Sequence, residues 1–348
     1  MKKCFFLGAN SSNGFYSLYN KFPPEKSFLH IIKSGPGTGK STFMRKIAQA
    51  AELKGFDVEY ILCSGDPSSL DGIYIPALKE AWVDGTAPHI IEPSIFGVYS
   101  DYVNLGSFLD EEFTDIEMDK IKELNKTYKA QYKQAYKYLA ATGELIKAIE
   151  VDFWGDTGRN AIQRRISTIF KHNLGQNKTV GGNAEYRFIS AVSHLGIYRL
   201  NSTVNELCKL IYQFDTSLNA LSFSLEYAAK EAMSRGADVI ICPSPLWPEE
   251  IEAVLIPSHS IALLGNDWQF SNAKNIHIDR WADEKLLLNY KNEIRENHKL
   301  EKMTMELAIS KLHYAKTLHD ELEEIYKKHM NYSALNKFTD SYIENLLQ

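Results

Sequence analysis

The chain has 348 residues, 44% hydrophobic and 24% charged, enough apolar side chain for roughly two cores and unlike a disordered or fibrous sequence. A net charge of −5 gives bulk electrostatics no reason to favour nucleic acid or an anionic membrane. Cys4, Cys63, Cys208 and Cys242 stand far apart, unlike a disulfide framework or a zinc site. The apolar run after Lys2 and Lys3 stops at Asn10, too short for a signal peptide, and no run approaches the ~18 residues of a membrane span. A reduced, cytoplasmic chain with no membrane span is therefore expected.

In chain order, the first informative segment is FLHII at 28–32, a short apolar run suited to a buried strand. SGPGTGKST follows from Ser34 to Thr42, and then a helical pattern with Phe43, Ile47 and Leu53 on one side and Gly55 at the stop. Strand, glycine-rich turn and helix form the context that a Walker A phosphate loop requires. Gly35, Gly37 and Gly39 let the backbone curl so that N–H groups converge on a phosphate chain, at the positive end of the new helix. The predicted nucleotide-binding residues are Gly35, Pro36, Gly37, Thr38, Gly39, Lys40, Ser41 and Thr42. Lys40 is expected to reach the β- and γ-phosphates, Ser41 to ligate Mg2+, and Thr42 to support the loop. Ser34 departs from the strict motif, which has glycine there.

Such a site also needs an acidic residue at a neighbouring strand end. Asp66, Asp71 and Asp84 are the candidates. Asp84 is preferred for metal binding and, with Lys40, for catalysis, because Ala81-Trp82-Val83 turns abruptly polar there; Asp66 is second. Gly85 follows Asp84, so no Asp-Glu pair is present to activate water. His89 lies in the same loop, where a lone histidine is more often structural. ATP is favoured over GTP: Asn20, Asn125, Asn177 and Asn336 precede lysines, but Pro23, Tyr128, Val180 and Thr339 stand where a guanine-reading aspartate would be.

The chain repeats itself. FLGANSSNGFYSL at 6–18 matches FISAVSHLGIYRL at 188–200, and IYIP at 73–76 matches VLIP at 254–257, at offsets of 182 and 181. Across an offset of 181, SGPGTGKST lands on DTSLNALSF at 215–223, so Leu218, Ala220 and Leu221 replace Gly37, Gly39 and Lys40. Gly265 replaces Asp84 and Asp215 falls opposite Ser34, so the second copy is expected not to bind triphosphate.

Long amphipathic segments follow each copy, at 114–150 and 284–328, read as helical hairpins. Packing within the molecule is the first expectation for them; a protein partner or self-association through the arms is the alternative. The resulting division is a nucleotide domain at 1–172 with an arm from about 108, a linker at 173–184, and a degenerate domain at 185–348 with an arm from about 282. The expected fold is α/β, a P-loop NTPase-type three-layer sheet, tandemly duplicated.

FFLGANSSNGFYSLY, KSGPGTGKST, CSGDPSSLDGIYIP and VDGTAPHIIEP together resemble a bacterial family of tandem P-loop ATPases of unassigned role, over nearly the whole chain. The resemblance implies the fold and ATP but no substrate. Both halves commonly carry the loop in that family, and here only the first does.

The expected function is Mg-dependent ATP hydrolysis or ATP-driven switching at one N-terminal site. A small-molecule or nucleotide kinase and a non-catalytic nucleotide-gated adaptor are the alternatives. Arg45 is the only arginine before Arg159, so a second cation for the transition state must be a lysine, a later arginine such as Arg159, Arg164, Arg165 or Arg199, or a residue of another subunit.

Overall fold

The computed structural model describes residues 2–87, 90–110, 112–175, 180–215 and 220–347. The first half runs β1 (Lys2–Phe5), β2 (Gly8–Ser11), β3 (Gly14–Ser17), β4 (Phe28–Lys33), α1 (Lys40–Leu53), β5 (Val58–Leu62), β6 (Leu70–Ile75), β7 (Glu80–Asp84), β8 (Ser100–Asn104), α2 (Asp115–Lys147) and α3 (Gly155–Asn173). The second runs β9 (Ala184–Tyr186), β10 (Ser190–Ser193), β11 (Gly196–Arg199), α4 (Asn201–Leu207), β12 (Leu210–Asp215), α5 (Leu221–Ser234), β13 (Val239–Pro243), β14 (Ile251–Ile256), β15 (Ile261–Gly265), β16 (Lys274–His277), α6 (Glu284–Lys328) and α7 (Tyr332–Leu346).

The fold is α/β with mixed sheets. One six-stranded sheet has the order β1-β5-β6-β7-β4-β8, and the other, read the same way, β9-β13-β14-β15-β12-β16. In both, the third strand pairs antiparallel with its neighbours and the remaining pairs are parallel. The hairpins β2–β3 and β10–β11 repeat down to their side chains. Ser11 Oγ donates to the Gly14 carbonyl at 2.7 Å, and Ser193 Oγ to the Gly196 carbonyl at 3.0 Å. Gly14 and Gly196 sit at φ 91° and 99°, a region that favours glycine. Phe6 and Phe188, equivalent in sequence, exchange backbone hydrogen bonds of 2.9 and 3.0 Å and join the halves.

Strand alternation assigns each side chain to a layer. In β4, Ile31 faces a core shared by both halves, while Ile32 faces α1; in β7, Ala81 and Val83 join the shared core and Trp82 faces α1. The second sheet repeats this, with Ala262 and Leu264 turned to the shared core and Ile261 and Leu263 turned to α5. Each sheet carries long helices on one face only, and its other apolar face is buried against the opposite half, with α4 and the hairpins between. A sheet apolar on both faces must be covered twice, and here the second cover is the shared core that α4, the hairpins and the opposite half complete.

The arms also differ from the expected hairpins. α2 is one unbroken helix of 33 residues and α6 one of 45. They pack antiparallel on each other, with Leu124 against Leu318 and Leu322 at one end and Thr142 Oγ1 at 2.8 Å from Thr304 Oγ1 towards the other. The helices that follow cross over. α3 buries Ile162, Ile166 and Phe170 with α5 in the second half, while α7 brings Leu335 into the core around α1 in the first. The side chains that share each of these cores thus come from both sides of residues 173–184.

Glu252, on β14, accepts a 2.6 Å hydrogen bond from Ser190 Oγ, and burial raises its carboxyl from 4.5 to about 8. A raised carboxyl pKa means that the folded chain keeps a proton the unfolded chain has released. This contribution is complete below about pH 4.5 and is lost as pH rises through about 8. Urea midpoints should fall across that window, and Glu252→Gln should flatten the decline.

Candidate glycine-loop site

The turn between β4 and α1 holds two left-handed glycines. Gly37 and Gly39 adopt φ of 67° and 92°, where a side chain would be strained. Gly39 is also the residue at the start of α1 and provides no side-chain cap. The N–H groups of Gly37 and Gly39 donate no hydrogen bond among the described residues, so they are available to an anion at the positive helix end. Ser34 Oγ, at the head of the turn, is buried without a partner.

Parallel pairing of β4 with β7 sets Ile32 opposite Asp84 and brings the ends of the two strands side by side. Lys40 Nζ lies 3.5 Å from Asp84 Oδ2 and donates to the Gly35 carbonyl at 2.6 Å, folding back onto its own loop. Asp84 Oδ1 accepts from Thr86 N at 2.9 Å and from Thr86 Oγ1 at 2.6 Å, which orients the carboxylate. Thr38 is buried and donates to the Gly35 carbonyl, bracing the turn.

Ser41 Oγ accepts the Leu70 N–H at 3.0 Å. A hydroxyl has a second lone pair, so this bond leaves an oxygen donor for a cation, and the Asp84 carboxylate is the hard partner that Mg2+ prefers. Ser222 makes the same 3.0 Å bond with Ile251 N in the second half, so this serine contact belongs to the fold as well.

Asp66 and Asp71 have other engagements. Asp66 accepts from Ser68 N and Oγ and pairs with Lys316 of α6 at 3.4 Å. Burial acts to raise its carboxyl pKa, but these donors outweigh burial and hold it below the usual range. Asp71 is buried in β6, where its charge adds to burial in pushing the Tyr19 phenol and the Cys63 thiol upward. Arg45 donates to the Ser68 carbonyl, Arg159 pairs with Asp152, Arg164 bonds the Asn160 carbonyl of its own helix and Arg199 pairs with Asp267. None of these partners belongs to the glycine-rich turn. His89 lies outside the described residues.

In the second half the Lys40–Asp84 pair has an apolar counterpart. The Leu221 side chain fills the space over Gly265, where an added Cβ would meet Leu221 Cδ2 at 2.8 Å. Asp215 ends β12 in the place Lys33 takes in β4, rather than opposite Ser34, because the connection from β12 to α5 is one residue shorter than that from β4 to α1. Residues 216–219, which include Leu218, lie outside the described residues.

Sequence reasoning missed the residues that cover the turn. Tyr326 packs on Gly35, the Glu323 backbone on Gly37 and Leu335 on Gly39, and the Tyr332 hydroxyl donates to the Gly37 carbonyl at 2.8 Å. His319, one turn before Glu323, lies 3.5 Å from its carboxylate. Burial lowers the His319 pKa against the pull of Glu323, and the nearby Lys316 and Lys40 charges act with burial. No local signal near residue 40 could reveal groups almost 300 positions away.

No helix among the described residues is long and apolar enough to cross a membrane. Comparisons with protein-family models, with curated proteins and with solved structures give no match to this chain.

Proposed function

We propose that the chain is an ATP-binding P-loop NTPase, using Mg2+ for hydrolysis or switching at the single site between β4 and α1. The second half is its non-binding structural repeat. One observation carries the reading: Lys40, the first residue of α1, lies 3.5 Å from Asp84, the last residue of β7, beside a left-handed glycine turn with unused N–H groups. That arrangement combines an anion cradle, a cation for the terminal phosphates and a carboxylate for a metal-bound water. Gly35 to Thr42 hold the phosphates, and Ser41 and Asp84 hold the metal.

The matching strand orders of the two sheets support a duplicated ancestor, and Leu221 over Gly265 supports loss of the second site. The test is MgATP binding by calorimetry, followed by phosphate release with and without candidate acceptors. Saturable binding that weakens when Mg2+ is chelated is expected. ADP release that depends on an acceptor would replace hydrolysis with phosphotransfer, and no binding of any triphosphate would remove the reading.

A further inference from the structure

The three glycines of the turn are all contacted by one segment that belongs, in sequence, to the second half. The elbow between α6 and α7 lies across the loop from Glu323 to Leu335. A Cβ added at Gly37 would stand 2.8 Å from the Glu323 carbonyl oxygen and 3.0 Å from its Cα, so the α6 backbone itself touches the loop. A Cβ at Gly35 would meet the Tyr326 ring at 2.7 Å, and one at Gly39 would meet Leu335 at 3.0 Å. Beneath this cover the side chains of Lys40 and Asp84 are only 12% and 15% exposed. A triphosphate must reach both groups, and the elbow stands over the loop that carries them.

The remainder of α7 is held firmly. Tyr342 accepts a 3.0 Å hydrogen bond from Trp82 Nε1, Phe338 stacks on Phe43, and Asn336 Oδ1 accepts from Lys46 Nζ at 2.9 Å. The elbow is held by other elements: Asp110 N donates to the His329 carbonyl at 2.9 Å, Asn331 N to the Phe108 carbonyl at 2.8 Å, and His329 Nε2 lies 3.2 Å from Glu117 Oε1, while the partly exposed Tyr332 bonds the glycine turn itself. The elbow is thus docked on the 108–117 segment as well as on the turn, and uncovering the cradle means parting it from both.

From this juxtaposition we infer that the α6–α7 elbow is a latch on the nucleotide site, closed over the cradle without nucleotide and displaced when a triphosphate with Mg2+ binds. The inference rests on the nucleotide reading above and adds regulation to it. A closed latch lowers apparent affinity by the fraction of molecules that are open. Displacement would be felt along α6, which packs the length of α2, so the two-helix arm is the element that would report nucleotide state.

The test uses the full chain and MgATP. Tyr332→Phe removes the hydrogen bond to Gly37 and keeps the ring, and should tighten binding about two- to tenfold. Leu109→Cys with Met330→Cys, partners in an antiparallel bridge that ties the elbow to the segment after β8, joined by a short reducible thiol crosslinker, should weaken binding at least about 100-fold, with recovery on reduction. Wild type treated with the same reagent controls for the native cysteines. Hydrogen exchange in 323–335 should rise when MgATP is added to the unlinked protein. Equal binding by the crosslinked and reduced forms, or no tightening in Tyr332→Phe, overturns the latch and leaves the nucleotide site standing. No MgATP binding in any form overturns both.

Discussion

Lys40→Ala should weaken MgATP binding by at least about 100-fold, the equivalent of roughly 3 kcal/mol for one charge-assisted contact to phosphate. The fold should survive. The hydrogen bonds and the ion pair of Lys40 go to its own loop and to Asp84, and Asp84 keeps its two bonds from Thr86. Circular dichroism and the urea midpoint of the variant should therefore stay close to wild type while calorimetry loses its signal. Lys40→Arg is a useful companion, since a planar guanidinium does not fit where a compact ammonium folds back onto the Gly35 carbonyl. Unchanged affinity in Lys40→Ala would remove the nucleotide reading, because no other cation has been placed at this loop.

Gly265→Asp should destabilise the protein by about 3–5 kcal/mol, the range for an uncompensated buried charge. Gly265 is buried at the end of β15, and its new Cβ would lie 2.8 Å from Leu221 Cδ2. Steric crowding and an unpaired carboxylate thus act together. Adding Leu221→Lys should recover part of the loss, because Lys40 and Asp84 hold the corresponding positions in the first half at 3.5 Å. A coupling of about 1–3 kcal/mol in a urea double-mutant cycle is the expected result. Strict additivity would show that positions 221 and 265 do not reproduce the geometry of 40 and 84. Nucleotide binding should not return with the pair, since the connection before α5 is one residue short.

The local pieces of this protein could be read from its residues. The run Phe28 to Ile32 forms β4, and the helical pattern after Lys40 forms α1, with Gly55 just past its end at φ 84°. The hairpin matches at 6–18 and 188–200 fold alike because a short Ser-to-Gly turn contains its own hydrogen bonds and its own left-handed glycine. The preference for Asp84 rested on a strand that turns polar at its last residue, which is also a local property, and β7 ends there beside Lys40.

Only tertiary structure decided what each apolar face would meet. Periodicity shows that a face must be buried, but carries no information about its partner. So α2 and α6 could equally have folded back on themselves, and the inner sheet faces could have taken long helices instead of the core shared between the halves. α3 and α7 cross to the opposite halves, where Ile162 and Phe170 join the core around α5 and Leu335 the core around α1. The glycine-rich turn shows the same division. Its shape is determined by residues 34–42, where φ, helix start and strand end are local, whereas its cover of Tyr326, Tyr332 and Leu335 arrives from the far end of the chain.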